Sequence, residues 1–261
     1  MDADVNHFTQ AGFEIRATDP AAMSQSLQPH LERCVPQTLA GADLICLVSD
    51  PSGAELRIGL RKSANGQAEV VSLNPGFAGE GRAKARIVGD VSKPEGKPFE
   101  IAVSASFAGD EIPFVFDLAD PRQSGQADRG KAVAVSLTGF SFDARVFKSV
   151  KDYYQAQKKD GAKTVFAANH FVPSGTFTAE MGGIAEADRP TAYADFSGTV
   201  VKSQLRTNGA GGGRFWWALV RIYGDHTVDV VLDPAQVKLA PAPGTLVSGR
   251  FWLSGRLVAE P

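Results

Sequence analysis

Apolar and polar positions alternate along most of this chain. Phe99, Ile101, Val103 and Ala105 alternate with Glu100, Ala102 and Ser104, the period of a strand with one buried face. The same period, written in β-branched and aromatic residues, predicts strands at 68–73, 83–91, 99–107, 113–118 and 132–137. Others are predicted at 166–172, 177–181, 196–205, 215–223, 227–232 and 246–258. Near the start, 10–16 reads as a short strand, and 44–48 with 54–60 as a hairpin about the turn Asp50-Pro51-Ser52-Gly53. Two stretches have a helical period. Met23, Leu27, Leu31 and Cys34 form one stripe behind a Thr18-Asp19-Pro20 start. Val146, Phe147, Val150 and Tyr154 form another, in a helix over 143–159 that Asp143 caps.

These elements predict an α+β, β-rich protein of two domains. The first, residues 1–185, is a mixed α/β domain with two helices that begins with a β-α-β-β unit over 10–60. The second, residues 190–261, is a small antiparallel β-barrel, and the small, acidic segment 182–190 separates the two. Gly213-Arg214-Phe215-Trp216-Trp217 returns as Gly249-Arg250-Phe251-Trp252-Leu253, and these segments hold all 3 tryptophans. Four strands, a glycine hairpin at 209–213 and a connector at 234–237 resemble an OB-fold over roughly 192–258, without the helix between the third and fourth strands.

Composition narrows the classes of partner. The 261 residues are 43% hydrophobic and 21% charged, as in an ordinary globular chain. A net charge of −2 gives no global attraction to nucleic acid or to an anionic membrane. The first residues lack the basic and apolar regions of a secretion signal, and no apolar run approaches the ~20 residues that span a bilayer. Cys34 and Cys46 lie in apolar surroundings at a spacing of neither a zinc knuckle nor a redox pair. Two buried, reduced thiols in a cytoplasmic protein without a membrane partner are expected.

Catalytic signatures are missing. The 4 histidines (His7, His30, His170, His226) lack metal-site spacing. The glycine run at 209–213 has neither the lysine nor the following helix of a phosphate loop. Asp225, Asp229 and Asp233 recur every fourth residue and read as solvated turn carboxylates. The run Asp50-Pro51-Ser52-Gly53-Ala54-Glu55-Leu56 resembles the final hairpin of glyoxalase-type modules, over residues 10–60. That resemblance implies a metal-dependent enzyme with His7 and Glu55 as ligands, although Arg57 stands where the family's glutamate is expected.

No catalytic residue, metal or cofactor is therefore assigned. On the last strand Arg250, Trp252 and Arg256 share a face, and on the strand from 214 Arg214 and Trp216 share one. An aromatic ring flanked by guanidinium groups suits stacking on bases or sugars; the same rings equally suit the filling of a small barrel. These five residues are the candidate ligand-binding set of a non-catalytic module whose partner is a protein or a small molecule. Single-stranded nucleic acid is the alternative, bound through Arg250, Trp252 and Arg256 with Lys202, Arg206 and Arg214 supplying phosphate contacts.

Overall fold

The computed structural model describes residues 6–15, 20–63, 66–161, 164–174 and 191–258. It is β-rich with a few helices. A four-stranded antiparallel sheet comprises β1 (Gln37–Ala40), β2 (Asp43–Ser49), β3 (Ala54–Lys62) and β4 (Ala68–Phe77). A ten-stranded sheet takes the rest: β5 (Ala83–Asp90), β6 (Ala102–Phe107), β7 (Pro113–Leu118), β8 (Ala132–Ser141), β9 (Arg145–Phe147), β10 (Phe171–Pro173), β11 (Tyr193–Thr207), β12 (Arg214–Arg221), β13 (Thr227–Leu232) and β14 (Leu246–Val258). The helices are α1 (His7–Gln10), α2 (Pro20–Glu32) and α3 (Val150–Lys159).

The ladders of the large sheet return on themselves twice. One circuit runs β11-β12-β13-β8-β14 and back to β11, with β13 parallel to β8 and every other pair antiparallel. The other runs β5-β6-β7-β14-β8 and back to β5, with β7 parallel to β14 and the rest antiparallel. Exchanging β5, β6, β7 and β8 for β11, β12, β13 and β14 turns one circuit into the other. β8 and β14 pair with each other and belong to both. The match extends to details: β5 carries a bulge between Ile87 and Gly89, and β11 one between Val200 and Lys202. Each third strand also runs into an Asp-Pro-x-Gln turn, Asp120-Pro121-Arg122-Gln123 and Asp233-Pro234-Ala235-Gln236. Asp120 and Asp233 cap these turns by accepting from Arg122 N and Ala235 N, at 3.0 and 2.8 Å.

This architecture corrects the expectation of a barrel confined to 190–261. The four strands of that stretch do not close among themselves; their circuit needs β8 from far upstream. The boundary expected at 185–190 lies outside the described residues, and ladders join the segments on its two sides.

Two apolar cores follow from strand alternation. Ala218 and Val220 of β12, and Phe251, Leu253 and Leu257 of β14, face the core within the large sheet. Phe215, Trp217 and Trp252 face a second core, which the small sheet and the N-terminal segment cover with Phe13, Leu27, Leu56 and Ile58. Each fully buried side chain of this size contributes ~1.5–3 kcal/mol, so the two-sided burial of β12 and β14 fixes their register.

Local corrections have local causes. The strand expected at 10–16 does not form over the described residues 10–15: α1, capped by Asn6, ends at Gln10, Gly12 at φ 71° turns the chain, and one isolated bridge joins Phe13 to Gly212. The second helix begins at Val150, not near Asp143, because Ser149 caps it and 145–147 join β14 as β9. The strand expected at 166–172 shortens to β10, and that at 177–181 and the Thr18-Asp19 cap lie outside the described residues. Cys34 and Cys46 are not thiols: a disulfide joins them with Cα atoms 5.7 Å apart, tying the chain after α2 to β2. Among the described residues no helix is long and apolar enough to cross a membrane.

Candidate functional site

Where α1 meets the edge of the two sheets, the chain leaves a cavity of about 680 Å³. Asn6 caps α1 through its side chain, which accepts from Phe8 N at 3.0 Å. Gln10 fastens the helix to the end of β8 by donating to Ser141 O, and to Gln236 of the second Asp-Pro-x-Gln turn. This anchorage lays His7 against Trp252, ring centroids 5.5 Å apart, and edge-on to Phe142 at 4.8 Å. β3 and β4 add Arg57, Leu73 and Asn74; β7 adds Asp117; Phe99 and Glu100 precede β6, and Tyr193 opens β11.

Asp117 is the chemical centre of this cavity. Its Oδ2 accepts from Trp252 Nε1 at 2.5 Å, a charge-assisted bond. Among the described residues it has no second hydrogen-bond donor. Burial raises its pKa above the ordinary carboxylate range, while the Trp252 bond and Arg57 pull the other way and Glu100 adds to the rise. Burial also holds the His7 imidazole below its ordinary value, against a weaker opposing contact with Gln10. A neutral ring and a costly carboxylate thus flank one indole.

Arg57 walls the cavity and does not reach into it. Its Nη1 donates to Leu118 O and Ala119 O and its Nη2 to Pro75 O and Ser254 Oγ. It therefore rivets the small sheet to β7 and β14. Burial lowers its pKa to about 10, with Glu55 the strongest opposing charge. Its Nε finds no partner among the described residues.

The other circuit holds the counterpart. Asp117 stands opposite Ser254 of β14, and Asp229 stands opposite Thr138 of β8, each across the parallel ladder of its own circuit. Asp229 also accepts from a tryptophan, Trp217 Nε1 at 2.7 Å. It accepts besides from Glu80 N at 3.1 Å and Gly81 N at 2.8 Å. The loop carrying these amides lies so close that a Cβ on Gly79 would fall 2.1 Å from the carboxylate. No room remains for a ligand. Asp229 is 0% exposed, which overturns its reading as a solvated turn carboxylate.

The expected ligand-binding residues are not brought together. Trp252 alone of the five lines the 680 Å³ cavity, and it is 8% exposed. Arg250 is exposed and paired with Asp195 at 3.2 Å, on a separate cavity. Arg256 pairs with Glu55 beside Asp120 and Arg122. Arg214 is exposed at the start of β12, and Trp216 packs partly buried against the core within the large sheet. Lys202 pairs with Glu80 at 2.6 Å, and the Arg206 guanidinium lies 4.0 Å from the centre of the Trp217 ring. Of the pair implied by the glyoxalase resemblance, His7 faces aromatic rings, while Glu55 is buried and engaged by Arg256. No group of three or more His, Cys, Asp and Glu side chains among the described residues could hold a metal ion.

A larger cavity, about 780 Å³, lies between α3, β9, β10 and β14. Its charges are already matched: Arg145 with Asp160, Arg250 with Asp195, and Asp143 accepting from Arg250 N. His170 is bound through Nδ1 to Ser197 and Ala167. Size favours this cavity, whereas the under-satisfied carboxylate singles out the smaller one. A ligand gains most where polar groups lack partners. No known protein-family model and no curated protein matches the chain.

Proposed function

We propose that this protein binds a small organic molecule in the Trp252 cavity. One observation carries the reading: Asp117 is half-buried and has a single hydrogen-bond donor among the described residues, in a space walled by aromatic rings. Buried carboxylates that serve the fold are fully bonded, as Asp229 is. A large concave space with apolar walls and a few polar groups is the usual form of a ligand site. We read each strand circuit as OB-like, a three-strand meander closed by β8 and β14, with the closing strand exchanged between the halves. In that reading the ligand lies beside the shared pair and not on the exposed arginines of β12 and β14.

A neutral solvatochromic dye, Nile red, tests the binding reading. Its fluorescence should rise saturably at one site per chain. Asn74→Trp, which fills the cavity from β4, should abolish the rise, and Leu73→Trp should act alike. A dye signal that both folded variants retain would place binding elsewhere and end the proposal.

A further inference from the structure

Resting on the reading of the Trp252 cavity as a ligand site, we propose that its ligand is an organic ammonium ion. It has an apolar or aromatic body and a primary amine whose N–H groups complete the hydrogen bonding of Asp117. The pattern comes from Asp229, where the same fold position takes one indole N–H and two further N–H groups, at 2.8 and 3.1 Å. Among the described residues Asp117 has the indole and lacks the other two. A primary ammonium brings three N–H donors and the opposite charge, which strengthens each bond. An alcohol brings one donor and no charge.

The rest of the lining agrees. Glu100, on the rim, adds a second carboxylate. The one guanidinium of the lining, Arg57, has both terminal nitrogens committed to carbonyls and a hydroxyl, so it has little to offer an anion. His7, neutral at physiological pH, adds no competing charge. Phe99, Phe142 and Tyr193 present ring surface to the cavity, on which a cation and its apolar body both gain. Burial that raises the Asp117 pKa also gives the binding a sign: an ammonium favours the ionised carboxylate, so affinity rises with pH as Asp117 loses its proton.

Three near-isosteric probes decide the class: 2-phenylethylammonium, 2-phenylethanol and 3-phenylpropanoate, each titrated at 150 mM salt against Nile red bound to the full chain. The ammonium should displace the dye at least tenfold more tightly than the alcohol, and the carboxylate should be weakest. Asp117→Asn should bring the ammonium to the level of the alcohol, Glu100→Gln should weaken it several-fold, and Asp160→Asn, away from the cavity, should leave the ranking intact. Equal displacement by ammonium and alcohol would overturn the ammonium class and leave the cavity reading standing, as would no displacement by any probe. Absence of saturable dye binding would instead remove the cavity reading itself.

Discussion

Asp117 and Asp229 occupy matching places in the two strand circuits, each opposite a hydroxyl residue on a parallel neighbour and each bonded to an indole N–H. They differ in what lies in front of them. The loop Gly79-Glu80-Gly81 closes over Asp229 with two backbone amides. In front of Asp117 lies a cavity bordered by α1 and the small sheet. The two carboxylates thus share a ladder position and an indole donor but differ in what covers them among the described residues, and the chemistry of a residue follows from its neighbours more than from its place in the fold.

The largest effect is expected at Asp229. Asp229→Asn presents a donor to Gly81 N–H and loses a charged acceptor in a dry site. It should cost about 3 kcal/mol in urea unfolding, and a loss below 1 kcal/mol would mean that the amides do not hold the carboxylate. Gly79→Ala pushes a Cβ into the same carboxylate and should cost about 2 kcal/mol; an unchanged midpoint would show that the loop yields freely. The smallest effect, and one of opposite sign, belongs to Asp117. Its folded pKa lies above the unfolded value of 3.8. Its contribution is therefore fully present below that value and is lost as the pH rises through the raised one. Asp117→Asn, neutral throughout, should be more stable than the parent at pH 7, with the gap closing below pH 4. A variant less stable than the parent at pH 7 would make Asp117 a structural group.

Much of the fold was legible in the sequence. Alternation placed β3, β4, β5, β7 and β13 closely, since each carries a continuous apolar face. The circuits were not legible, because the parallel pairing of β13 with β8 joins residues some ninety apart and leaves no local pattern. The eye-catching Gly-Arg-Phe-Trp repeat misled: Arg214 begins β12, whereas Arg250 lies inside β14, and these places are not equivalent. A quieter repeat, Asp-Pro-x-Gln after the third strand of each half, marks the corresponding strand ends. Of the site, His7 and Trp252 were singled out for unrelated reasons, and only the fold joins them. Asp117 stood in view as one charge within Phe114-Val115-Phe116-Asp117-Leu118. A carboxylate in an otherwise apolar strand is costly unless paired, and that was the signal to follow.

The most direct measurement is a carboxyl ¹³C NMR titration of Asp117 and Asp229 with and without 2-phenylethylammonium. Burial raises both pKa values in the free protein. The amine should lower the Asp117 value and leave Asp229 unmoved. An Asp117 that titrates in the ordinary carboxylate range and ignores the amine would contradict the ammonium site.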